Sequence, residues 1–392
     1  MTKIAAGESH SLFLKSDGSL WGMGYNLYGQ LGGGIQRTNA PFETNVFIAL
    51  FGTSRSKLAT NQSEQIEAIK KFVAYQETFK PKDIIYPMFI VASNVTDIAA
   101  GTFHTMFLKN DGSLWAMGDN GANELSAGDY SSTNRPERIM ASGFTTIAAG
   151  GFRNLFLKSD GALWGVGDNA NGELGFEHPN KFNSAREIVA SGVTAIAPGY
   201  MHTLFLENDG SLWGMGYNRF GELGDGTFIQ ANTPKLIVAS GVKAVAAGNF
   251  HSLFLKTDGS LWATGNNDYG RLGDGTTNSI NHPKQIIANE VTAIAAGEYH
   301  SLFLKRDGSL WAMGKNTFGQ LGNGYFTNAD LPEKIVDGGV VAISGGGDHS
   351  LFIKSDGSLW VMGNNNHGQL GNGGLMNVNL PTQIVPGFKV TK

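Results

Sequence analysis

The chain has 392 residues, a formal net charge of −4 and only 16% charged residues, so it lacks the basic footprint of a nucleic-acid binder. It contains no cysteine, which excludes disulfides, thiolate metal sites and cysteine nucleophiles and leaves the compartment open. No run approaches 18 apolar residues, so no transmembrane helix and no membrane role are expected. The start, MTKIAAGESH, carries no basic-then-apolar signal pattern; cytoplasmic residence is the default expectation, and secretion from a removed signal is compatible with the chain.

In chain order, the first predicted strand is IAAG (4–7), followed by HSLFLK (10–15), a turn at Ser16-Asp17-Gly18-Ser19 and LWGMG (20–24). Asp-Gly between two alternating apolar runs is a strong hairpin signal, with glycine supplying the positive φ. A G-x-N-x-x-G-Q-L-G stretch follows at 24–32. The same unit returns six times: Trp115, Trp164, Trp213, Trp262, Trp311 and Trp360 are 49 apart, while Trp21 to Trp115 is 94, or 49 plus 45. A fourth strand, as in PKLIVAS (234–240), starts at a proline, which suits a strand start or a sheet edge. A fixed period near 50 means one supersecondary unit per repeat, stacked on its neighbours. The predicted fold is all-β: a seven-bladed β-propeller with four antiparallel strands per blade, forming one domain over 1–392. Tryptophans and leucines are its expected inter-blade cement. PTQIV (381–385) as the last fourth strand and IAAG as the first inner strand predict neighbouring termini.

One segment departs from the period. TNAP (38–41) matches TNRP (133–136), and PMFIVAS (87–93) matches PKLIVAS, so residues 42–86 are spliced in ahead of the fourth strand of blade one. Within this arm NVFIALFG (45–52) reads as a strand or buried run. NQSEQIEAIKKFVAYQETF (61–79) reads as an amphipathic helix, with Asn61 and Glu64 resembling a capping box. Ile66, Ile69, Phe72, Val73 and Phe79 form its apolar face, and Glu67, Lys70 and Lys71 lie opposite. Three readings stay open: a loop elaboration on the blade edge, a partner-contacting arm, or an engineered graft.

Strand order assigns the loops to two faces. The Asp-Gly turns lie at the bottom and barely vary, with Asp17, Asp111, Asp160, Asp209, Asp258, Asp307 and Asp356 all recurring. The G-x-x-H turns and N-x-x-G loops lie at the top and do vary. The second variable position of the turn holds Ser9, Phe103, Phe152, Met201, Phe250, Tyr299 and Asp348, with Tyr200 beside Met201; the loop position holds Tyr28, Ala122, Asn171, Phe220, Tyr269, Phe318 and His367. A rim of aromatics whose identity changes blade by blade suits a protein-binding face; rings that seal the barrel mouth are the competing reading. Tyr28, Phe103, Phe152, Tyr200, Phe220, Phe250, Tyr269, Tyr299 and Phe318 are the candidate contact residues.

Six histidines recur (His10, His104, His202, His251, His300, His349), with Arg153 at the seventh position. One ligand spread around a ring does not make a metal site, so a bond to the adjacent loop backbone is expected. Gln30, Glu124, Glu173, Glu222, Arg271, Gln320 and Gln369 form another ring, and Glu173 and Glu222 read as loop chemistry rather than a catalytic pair. No Walker sequence, nucleophile elbow or H-E-x-x-H is present. No cofactor, metal or catalytic residue is expected.

The unit G-x-x-H-S/T-L-x-L-x-x-D-G-x-L-W-x-x-G-x-N-x-x-G-Q-L-G resembles the repeat of the regulator of chromosome condensation (RCC1-like) family, in all seven copies and over everything except the 45 additional residues. The resemblance implies the seven-bladed ring, in its bacterial-type form. It leaves activity open, because that fold hosts exchange factors, enzyme inhibitors and interaction modules. The leading expectation is a non-enzymatic, monomeric scaffold binding a protein partner through its top face. The alternatives are a guanine-nucleotide exchange factor for a small GTPase, with 42–86 as its wedge, and a proteinaceous inhibitor of an enzyme.

Overall fold

The computed structural model describes residues 1–32, 83–125, 130–177 and 182–385. Blade one consists of β1 (Lys3–Ala6), β2 (His10–Leu14), β3 (Leu20–Gly24) and β4 (Ile84–Val91). Six further four-stranded antiparallel sheets follow, over 95–140, 144–189, 193–238, 242–287, 291–336 and 340–385, each ordered as its strands occur in the chain. First strands line the ring axis and fourth strands form the outer edge. A single 3₁₀ turn, Asp268–Gly270, is the only helical element among the described residues. The expected seven-bladed ring is what forms.

Six of the seven bottom turns hold their own tryptophan. Gly18 takes φ 77, Asp17 accepts from Ser19 N at 2.9 Å and Oγ at 2.6 Å, and Trp21 Nε1 donates to Ser19 Oγ at 3.0 Å. Those serine bonds hold Asp17 below the usual carboxylate range. Blade three has Ala162 at the serine position, and Trp164 Nε1 is left without a partner.

Alternation on the second strand sends leucines towards the next blade and a phenylalanine towards the previous one. Leu12, Leu14, Leu20 and Leu31 pack against Val95, Ile98, Phe107 and Trp115 of blade two. Phe13 and Met23 pack against Leu351, Ile353, Leu359, Val361 and Leu370 of blade seven. A phenylalanine buried to this extent, at 1% exposure, contributes roughly 2–3 kcal/mol. The blade junctions therefore form the core, as the repeat pattern predicts. The ring closes without a shared blade: Ala6 N donates to Ser344 Oγ at 3.1 Å, and the Met1 ammonium to Gly357 O at 3.3 Å.

The boundary of the inserted arm is corrected at its C-terminal end. β4 begins at Ile84, so Ile84–Tyr86 belong to the blade and Pro87 lies inside the strand. Ladder pairing runs from Gly22↔Met88 to Gly24↔Ile84 with a register shift between them. The proline needs no N–H there, on an edge strand at an irregularity. The strand expected at 45–52 and the helix at 61–79, with Ile66, Ile69, Phe72, Val73 and Phe79, lie outside the described residues.

Candidate functional site

The top loops stand on a buried polar belt. Each histidine reaches the residue that follows the equivalent histidine of the next blade: His10 Nε2 to Thr105 Oγ1 (3.2 Å), His104 to Asn154 Oδ1 (2.7 Å), His202 to Ser252 (2.9 Å), His251 to Ser301 (3.0 Å), His300 to Ser350 (2.8 Å) and His349 to Ser11 (2.8 Å). The expected backbone bond is thus replaced by a side chain one repeat away. Ser350 Oγ in turn donates to Gln320 O of the preceding blade at 2.8 Å, and Ser11, Thr203, Ser252 and Ser301 donate to the equivalent carbonyls of the blades before theirs. A hydroxyl that donates its hydrogen to a carbonyl accepts from the imidazole, which fixes Nε2–H as the tautomer. Burial pushes His10, His202 and His300 down to about 3 and His349 to about 4, so these imidazoles are neutral. Arg153 completes it with four bonds, to Thr203 Oγ1 and to the carbonyls of Tyr200, Gly199 and His202.

Above the belt, the loop of one blade meets the turn of the next. Tyr28 lies 5.2 Å from Phe103, Phe220 5.3 Å from Phe250, and Tyr269 6.2 Å from Tyr299, centroid to centroid. Phe152 meets Tyr200 at 5.9 Å, and Tyr200 meets Phe250 at 6.3 Å. Phe318 holds Lys315 Nζ 5.1 Å from its ring. Tyr269 is 42% exposed and the other eight candidate aromatics are half-buried. The rings pack on neighbouring loops and still present a face to solvent.

Sequence reasoning missed two members of these clusters. Tyr25 packs on Tyr28, Phe103 and His367, at 6.3, 5.9 and 4.8 Å. Tyr217 packs on Phe220 and Phe250, at 6.3 and 5.8 Å. Both stand at the variable position between the fixed Gly and Asn of the loop, where Lys315 stands in blade six. Blade-by-blade variation at that position is the signal that marks them.

Apart from Tyr200, the first variable position of the G-x-x-H turn was also missed. Glu8, Thr102, Gly151, Tyr200, Asn249, Glu298 and Gly347 surround an axial cavity of roughly 90 Å³. Burial, with Glu8 and Asp348 nearby, pushes the Glu298 carboxyl up to about 8, and Asn249 Nδ2 donates to it at 3.2 Å. Asp348 pairs with Lys315 at 3.1 Å and accepts from Gln320 Nε2 at 2.8 Å. Burial raises the Glu8, Glu298 and Asp348 carboxyls, and Asp348 adds to the rise at Glu8 while both add to that at Glu298.

The other polar ring shapes the loops. Glu173 accepts the Asn171 N–H and Glu222 the Phe220 N–H, at 2.8 and 2.9 Å, so the two carboxylates hold separate loops. Among the described residues no group of three His, Asp or Glu side chains gathers to hold a metal ion.

Comparison with known proteins agrees with this geometry. A profile described as RCC1-like domain matches residues 140–392, and one described as regulator of chromosome condensation (RCC1) repeat matches 1–30 and 95–124. Prp20p from Saccharomyces cerevisiae is similar in fold, with a TM-score of 0.74, 19% identity, and 96% of this chain and 88% of that one covered. Human WBSCR16 gives a TM-score of 0.71 at 22% identity, covering 78% and 86%. The ring of seven four-stranded blades and the family profile over residues 140–392 place this chain in the RCC1-like domain family.

Proposed function

We propose that this chain is a non-enzymatic scaffold that grips a protein partner with its top face. One observation carries the reading. Aromatic side chains cluster across the blade junctions of a single face, half exposed, while the opposite face is closed by repeated Asp–Ser–Trp turns. Rigid rings mounted on a buried belt lose little entropy on binding, which is what interface anchors need. Yeast RCC1 (Prp20) has been crystallised bound to Kap60, and Prp20p has been characterised for binding to Gsp1p and histones; those partners are facts about that protein and lend the reading a precedent of class.

The test is capture of partners from the native host extract by the intact protein and by Phe103→Ala/Phe250→Ala. Each central anchor is worth roughly 2 kcal/mol, so the double variant should lose about 4 kcal/mol, or roughly a thousandfold in affinity for the captured partner. Unchanged affinity in a folded double variant removes the proposal.

A further inference from the structure

Seven copies of one loop give this chain an internal standard, and the blade-five copy departs from it. In the other six, the side chain of Gln30, Glu124, Glu173, Glu222, Gln320 or Gln369 accepts the backbone N–H two residues before it. Arginine has no acceptor, so Arg271 cannot make that bond and donates Nε–H to the Asp268 carbonyl at 3.0 Å. Tyr269, whose N–H loses its acceptor, stands at φ 66, ψ 4. None of its six equivalents takes a positive φ. Asn94, Asn123 and Glu290, the other described non-glycine residues there, stand where sibling blades have glycine. A left-handed aromatic is strained, and such strain persists only where the surroundings impose it.

The arginine itself is left short of partners. It is 1% exposed, and its Nη1 has no hydrogen-bond partner. The guanidinium lies 5.0 Å from the Tyr299 ring and 5.7 Å from that of Tyr269. Lys315 shares the same rings, at 4.8 and 5.9 Å, and is paired with Asp348. No ion pair among the described residues includes Arg271. The Asp268 carboxylate takes the Asn266 amide at 3.1 Å. Burial pushes Glu298 up to about 8, which weakens it as a counter-charge.

We propose that this loop is an oxyanion site on the top face, in which Arg271, framed by Tyr269 and Tyr299, receives the carboxylate of an acidic side chain of the protein partner. The proposal rests on the top-face reading and names the chemistry of one contact within it. A buried guanidinium with an unused N–H and no ion pair is matched by a carboxylate, which takes two parallel N–H bonds. Of the two rings that frame the guanidinium, Tyr269, 42% exposed, is the one that opens to solvent.

The experiment uses the repeat's own residue. Arg271→Gln restores the acceptor found in Gln30, Gln320 and Gln369. The intact protein and this variant are titrated calorimetrically with a hexaglutamate peptide, a hexaglutamine peptide and inorganic phosphate. The parent should bind hexaglutamate and not hexaglutamine, and Arg271→Gln should bind it at least tenfold more weakly while melting no lower than the parent. Equal binding by the variant, a melting temperature lowered by more than about 5 °C, or no binding by the parent overturns the proposal. Phosphate binding more tightly than the peptide overturns the protein carboxylate as occupant. The Phe103→Ala/Phe250→Ala pair leaves this loop intact, so that result judges the top face and this one judges the guanidinium.

Discussion

Replacing His300 by glutamine takes one titrating group out of the buried belt while keeping its bond. His300 Nε2 lies 2.8 Å from Ser350 Oγ, and a glutamine amide nitrogen can donate to the same oxygen. Burial, with smaller pushes from His349, Lys315 and Arg271, holds this imidazole down to about 3 from an ordinary 6.5. Between those values the unfolded chain binds a proton that the folded chain refuses. Stability from this residue is therefore complete above about pH 6.5 and is lost as the pH falls towards 3. From about pH 7 to about pH 5 the loss is roughly one and a half pK units, or about 2 kcal/mol. His10, His202 and His349 act with the same sign. Glu222 and Glu298, raised to about 7 and about 8 mainly by burial, act with the opposite one: they stabilise the fold at low pH and lose that contribution as the pH rises. The whole-protein pH curve is thus a difference of large terms, and the variant-minus-parent comparison isolates His300. Urea unfolding at the two pH values should show the parent losing about 2 kcal/mol more than His300→Gln on acidification. Equal losses would refute the buried neutral imidazole.

Ala162→Ser supplies the hydroxyl that Trp164 Nε1 lacks and should raise stability by about 1 kcal/mol in urea unfolding; a neutral or destabilising result means the indole is satisfied otherwise. Deleting 42–87 joins Pro41 to Met88 and sets Thr38-Asn39-Ala40-Pro41 in the places of Ile84–Pro87, so the ring should still fold and melt within about 5 °C of the parent, since blade and junction terms carry the stability. Aggregation of that deletion would make the arm part of the core, and undiminished partner capture would make it decoration.

Periodicity made the blades legible because every copy repeats the same burial: the Asp-Gly turn, the leucine–phenylalanine alternation and the tryptophan each point to one place in a sheet. It does not say which neighbour a side chain meets. His300 and Ser350 are one residue more than a repeat apart, so their bond appears only once the handedness of stacking is known. The same ignorance hid the pairing of Tyr25 with Phe103 and of Tyr217 with Phe250. Pro87 misled for a different reason. Proline reads as a strand start, but on an outer edge with a register shift a strand can run through it.

Departures from a repeat can be ranked by what they leave unpaid in hydrogen bonds, because sibling blades supply the reference state. Arg153 replaces a histidine and satisfies its guanidinium four times over, so it costs the belt nothing that the structure shows. Ala162 replaces a serine and leaves a single indole N–H at a half-exposed tryptophan. Arg271 replaces an amide or carboxylate acceptor, strands Nη1 and accompanies a left-handed Tyr269. Of these three only the last combines a buried orphan donor with left-handed backbone, on the face that carries the exposed rings; Asn123 in blade two also holds an unpartnered buried amide at φ 65, but asparagine enters that region at little cost where tyrosine does not. Local rules are broken at a cost mainly where function repays it. That ranking, rather than the aromatic count, is what singles out the blade-five loop for the carboxylate proposal.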